Sequence, residues 1–167
     1  MVSARGGLWT ALRDQFYLVV SRSLWCGGVM LNFVPREAAD NPRTPVVFVH
    51  EFGHSFAGLA DEYFSSEVAY QDFYNLKYEP WEPNITTLVN FDAKWKDLLP
   101  ANTPVPTPLD DAHKDKAGVF EGGGYIAKGI YRPMDHCMMR DYAPFCPACS
   151  RAILQMIDYF TDKPIKH

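Results

Sequence analysis

At 167 residues the chain has room for one compact domain, spanning 1–167, which excludes a multidomain machine. Hydrophobic residues at 47% and charged residues at 22% belong to a folded globular chain, not a disordered or collagen-like one, and 13 Pro beside 11 Gly foretell long turn-rich stretches. A formal net charge of −4 with no run of Lys or Arg argues against a nucleic-acid partner, and the longest apolar runs, Phe16 to Val20 and Pro45 to Val49, fall far short of the ~20 residues a membrane-spanning helix needs.

No apolar core of secretory-signal length follows Met1 to Gly7, so the expectation is a cytoplasmic chain or one that has lost its front. Leu8 to Leu12 reads as the end of a short helix, Phe16 to Val20 as a buried strand, and Gly27 to Phe33 as a second strand that breaks at Pro35. Thr44 suits a helix N-cap and Pro45 the first helical position, which predicts a helix running to about Ala57. Gly58 then supplies a left-handed residue at which the chain can swing away. Glu62 to Phe120, interrupted by six prolines from Pro80 to Pro108, reads as a large excursion with short helices. Tyr125 to Tyr131 is expected as a short strand ending at Arg132-Pro133. Pro147 opens a closing helix whose Ala148, Ala152, Ile153, Met156, Ile157 and Phe160 share one face and should meet the core. The Gly27 and Tyr125 strands suit interior positions as well as the walls of a substrate cleft.

His50-Glu51-Phe52-Gly53-His54 is the strongest chemical signal, because imidazoles four residues apart on a helix share a face and can grip one metal ion. Glu51, beside His50, can reach a metal-activated water as general base and then pass its proton to a leaving amine. A catalytic zinc takes three protein ligands and keeps one position open. Asp61 is the expected third ligand, since a glycine turn followed three residues later by a carboxylate is similar to the extended zinc signature of metzincins. Asp replaces the usual His of that signature, and glycine and ligand each arrive one residue late, which leaves Glu62 and the distant His136 as competitors.

The block Val47 to Tyr63, with Glu67 to Tyr70, Trp81 to Thr87, Cys137 to Asp141 and Phe145 to Cys149 downstream, resembles the bacterial immunoglobulin A peptidase family of zinc metallopeptidases over about Tyr17 to Phe160. The resemblance implies an α+β, metzincin-like zincin domain with a mixed sheet, an active-site helix and a C-terminal helix. It further implies one catalytic Zn2+, endopeptidase action on a polypeptide such as immunoglobulin A, and an extracellular or cell-envelope setting. It also implies a methionine turn beneath the zinc, with Met139 preferred over Met138, and a hydrogen-bond donor to the oxyanion at Tyr142. Only 49 residues precede His50, so the chain is expected to be an N-terminally truncated fragment. The alternatives are an inactive zincin-fold binding module and a structural zinc protein.

Cys146-Pro147-Ala148-Cys149 suggests a redox dithiol, or half of a zinc site with Cys137 and His136, but a disulfide between Cys137 and one of the later pair is the favoured reading for an exported protein. Cys26 is expected to be free or distal. Asn84-Ile85-Thr86 matches a glycosylation acceptor by coincidence, and His113 and His167 are expected to face solvent.

Overall fold

The computed structural model describes residues 18–20, 29–31, 34–38, 42–64 and 73–161. The Leu8 to Leu12 helix, the Glu67 to Tyr70 block, Cys26 and His167 lie outside the described residues, as do the outer parts of the first two expected strands. The architecture is α+β. Strands β1 (Leu18–Val20), β2 (Val29–Leu31) and β3 (Val34–Ala38) form a mixed sheet in the order β1-β3-β2, with β1 parallel and β2 antiparallel to β3.

The second expected strand ends before Pro35, as β2 at Leu31, but Pro35 itself sits inside the next strand, the central one of the sheet. It pairs with Met30 of β2, whereas β1 covers only Arg36 to Ala38, so the β1-facing edge at Pro35 carries no ladder that its missing N–H would break. Among the described residues β2 is an edge strand, the position a cleft wall requires.

Helix α1 (Thr44–Ala57) runs beside β3 and β2 and packs on both later helices. Its start differs by one residue from expectation: Arg43 is the N-cap and Thr44 already lies within the helix. Gly58 ends it with φ 63°, and the amides of Gly58 and Leu59 bond to the carbonyls of His54 and Gly53. A Cβ at Gly58 would stand 2.6 Å from the Trp81 ring. Gly58→Ala is therefore expected to lose ~1–3 kcal/mol of stability through left-handed backbone and overpacking. Urea unfolding measures it, and a loss below ~0.5 kcal/mol would show that this bend tolerates a side chain.

The excursion after α1 is irregular, with single 3-10 turns at Phe91–Ala93 and Lys96–Leu98. Trp95 between them is fully buried and donates its indole N–H to Gly118 O at 2.8 Å. Burying ~150–250 Å² of that ring is worth about 4–6 kcal/mol, enough to pin a segment with little regular structure. Strands β4 (Phe120–Gly123) and β5 (Ile126–Arg132) form an antiparallel hairpin. The other edge of β5 bridges Thr86 through Tyr131, so this strand is covered there on both sides. Helix α2 (Met138–Asp141) is a single turn, and α3 (Pro147–Phe160) closes the chain from an N-cap at Cys146. Ala148 and Ala152 of α3 are buried and Ile153 and Met156 pack on the core, but Ile157 and Phe160 remain exposed.

Candidate metal centre

One turn of α1 separates His50 from His54, and their Nε2 atoms come to 3.1 Å of each other. Asp61 completes a triangle: its Oδ1 lies 3.1 Å from His50 Nε2 and 3.3 Å from His54 Nε2. All three residues are at least nine-tenths buried. His50 Nδ1 bonds Met138 O at 2.9 Å and His54 Nδ1 bonds Leu59 O at 2.6 Å. A carbonyl can only accept, so each Nδ1 carries the hydrogen and each Nε2 presents a lone pair.

Three acceptors thus face one point, and Asp61 Oδ1 has no hydrogen-bond partner. Donors ~2.0–2.1 Å from a tetrahedral ion stand about 3.3 Å apart, which is the size of this triangle. The residues fit a zinc-sized cation. Without one, burial would raise the Asp61 carboxyl, but the adjacent His50 and His54 imidazoles hold it below the usual carboxylate range. Protons and metal therefore compete for the same atoms.

Asp61 reaches the histidines because the bend at Gly58 is clamped from distant parts of the chain. Asn84 accepts from Ala60 N at 2.7 Å and donates to Ala60 O at 2.9 Å. Gly124 N and Tyr125 N bond to the carbonyls of Asp61 and Tyr63 at 2.8 and 3.1 Å, and Glu62 N bonds to Met139 O at 2.7 Å. The Tyr125 hydroxyl donates to Asp61 Oδ2 and fixes the carboxylate's rotation. Burial, then the Asp61 charge, pushes the Tyr125 phenol well up, so it keeps the proton it donates; the same causes push Tyr63 up to about 12.

Of the competing ligands, Glu62 points away, into a cluster of cysteines, and His136 is exposed and pairs with Asp141. Glu51 is 4% exposed, and its Oε2 has no hydrogen-bond partner. Burial raises its carboxyl despite the opposing charges of His54 and His50. Tyr142, in left-handed conformation at the end of α2, sets its half-exposed ring edge-on to His50 at 5.5 Å.

Both methionines touch this region in different ways. Met138 supplies the carbonyl that orients His50, whereas the Met139 side chain is fully buried under α1. A Cβ at Gly53 would come within 2.7 Å of Met139 Sδ, which explains a glycine in mid-helix between the two histidines.

Sequence reasoning missed two residues here. Asn84, a chance glycosylation match by sequence, is fully buried and holds the loop; Tyr125, by sequence the start of a strand that suits the interior or a cleft wall, orients Asp61. Neither carries a local signal, because their partners lie 24 and 64 positions away. His113, by contrast, pairs with Asp110 at the surface, in keeping with a solvent-facing role.

The family model described as IgA Peptidase M64 matches residues 8–116 and 109–157 of the chain. No curated protein matches it.

Proposed function

Because the chain belongs to the IgA Peptidase M64 family, a family of peptidases with polypeptide substrates, we propose that it is a zinc-dependent endopeptidase, with His50, His54 and Asp61 as metal ligands and Glu51 as general base. The observation that carries this reading is the convergence of two lone pairs and an unpartnered carboxylate oxygen on one point, with the Glu51 carboxylate on the same helix. Zinc bound there supplies Lewis acidity, which polarises a peptide carbonyl and makes water acidic enough to attack near neutral pH.

The chain's own groups do the rest. Met138 and Leu59 carbonyls accept the Nδ1 hydrogens of His50 and His54 and so turn both Nε2 atoms toward the metal position. Asp61 brings the one negative charge of the ligand set. Glu51 takes a proton from the attacking water at its carboxylate and hands it to the leaving nitrogen, and its burial makes it a stronger base than an exposed Glu. Tyr142 donates its hydroxyl to the oxygen on which negative charge develops. A metzincin-like domain is part of this reading, and the turn at Met138 and Met139 beneath the helix that carries both histidines supports it. An immunoglobulin A substrate follows from the family's description, and such a substrate would set the enzyme outside the cell or in its envelope. No helix among the described residues is long and apolar enough to cross a membrane.

Exhaustive chelation should bring peptide hydrolysis to background, and zinc added back should restore it. Hydrolysis that survives removal of all metal would end the proposal. Tyr125→Phe should keep the fold and weaken zinc binding by ~10–100-fold, the usual scale for losing the partner of a ligating carboxylate. Competition with a chromophoric chelator measures that change, and unaltered affinity would remove Tyr125 from the site.

A further inference from the structure

Adjacent residues Asp61 and Glu62 face opposite ways. Where Asp61 meets the histidines, Glu62 Oε1 lies 3.1 Å from Cys149 Sγ and 4.0 Å from Cys146 Sγ, and Cys137 Sγ lies 3.7 Å from Cys149 Sγ. All four donor atoms fall within 4.8 Å of one another, and none of the residues is more than 2% exposed. The three cysteines are free thiols, not the disulfide favoured from sequence, and the fourth place belongs to Glu62, not to the exposed His136.

We propose that Cys137, Cys146, Cys149 and Glu62 bind a second metal ion, a structural zinc with four protein ligands and no open position. Three soft sulfurs with one carboxylate suit zinc and disfavour calcium or magnesium. Zn–S bonds of ~2.3 Å place sulfurs about 3.8 Å apart in a tetrahedron and a carboxylate oxygen about 3.5 Å from each sulfur, the scale of the cluster seen here. As each S–Zn bond forms, the thiol proton leaves to solvent.

Glu62 supplies an independent reason. It is fully buried, its Oε2 has no hydrogen-bond partner, and it forms no ion pair among the described residues. Its Oε1 receives a hydrogen bond from Asn84 Nδ2 at 2.9 Å, which aims the carboxylate at the sulfurs. A carboxylate in so apolar a place needs a cation or a proton. A disulfide would consume two thiols and leave the third, with Glu62, uncompensated; one zinc employs all four groups.

The sulfurs are also prepared as acceptors. Cys146 N donates to Cys137 Sγ at 3.4 Å, and Cys149 N donates to Cys146 Sγ at 3.5 Å, at the N-terminus of α3 where the helix dipole favours thiolate. An ion here ties the loop after α1 to the starts of α2 and α3, and so holds Asp61 and the Met138 carbonyl where the histidines need them. The site rests on its own donors and does not depend on the peptidase reading.

Metal analysis and thiol titration of protein purified in reducing, chelator-free medium test it. Two zinc per chain are expected, falling to one in His50→Ala/His54→Ala, with Cys137, Cys146 and Cys149 silent to thiol reagent until that last ion is removed. Cobalt loaded into this double variant should give the intense near-ultraviolet band of sulfur-to-metal charge transfer. Cys146→Ser/Cys149→Ser should lose this ion or fail to fold. Glu62→Gln, nearly isosteric, should fold, keep the cobalt band and bind the ion at least ~10-fold more weakly. The proposal is overturned if the histidine variant holds no metal and the three thiols titrate freely. It is equally overturned if the native chain is two hydrogens lighter through a disulfide, or if Glu62→Gln binds the second ion with full affinity.

Discussion

Replacing Glu51 with Gln should lower kcat for peptide hydrolysis by ~10²–10⁴-fold while zinc content stays at the native value. Gln fills the same volume on α1 and can occupy the same buried position, so the helix and its histidines have no reason to move. What disappears is the group that accepts a proton from the attacking water, and with it the group that returns one to the leaving nitrogen. The native carboxylate is 4% exposed with Oε2 unpartnered, so at that oxygen the amide breaks no structural hydrogen bond. Parallel measurement of kcat, KM and metal content separates the outcomes. Loss of kcat with zinc retained supports the assigned role. Equal hydrolysis by both proteins would remove Glu51 from the mechanism, and bound zinc with no hydrolysis in either would favour a non-catalytic binding module.

Asp61→Asn should lose the ion at the histidines and hydrolysis with it, because the only negative charge among three ligands has gone. The amide can still accept from the Tyr125 hydroxyl, so the loop keeps much of its support. Affinity should fall by more than the ~10–100-fold typical of losing a group that hydrogen-bonds to a ligand, since a ligand itself is altered. Dialysis followed by metal analysis reads this directly. Glu62→Gln should leave the ion at the histidines in place, because Glu62 faces the cysteines. If Asp61→Asn keeps that zinc and Glu62→Gln releases it, the third ligand has been misassigned.

What could be read from the chain was local. Two imidazoles four residues apart meet because a helix turns every ~3.6 residues, and Thr44-Pro45 with Gly58 bounded that helix to within a residue at its start. Pro147 announced α3 in the same way, through its fixed φ and lack of an N–H. Pro35 shows the limit of such reading: it closes off β2 yet enters β3, because a proline is excluded from a strand only where a ladder needs its N–H, and how far β1 reaches along β3 decides that. The outer end of α3 fails likewise. Ile157 and Phe160 continue the apolar stripe, yet they are exposed, because spacing sets which residues share a face but not how far a partner surface extends.

Rules that act within one or two turns of chain were enough to read off the helix with His50 and His54, its bend, the pair of carboxylates that follow it and the cysteines near the closing helix. Which carboxylate faces the histidines and which faces the sulfurs was settled by long-range packing. That choice is made by Asn84, by the hairpin at Gly124 and Tyr125, and by Met139, groups 22 to 77 positions from the residues they bond, which clamp the loop in one orientation. Asp61 and Glu62 differ by one methylene and one position, so local chemistry cannot separate them; the long-range hydrogen bonds that set the loop's direction can.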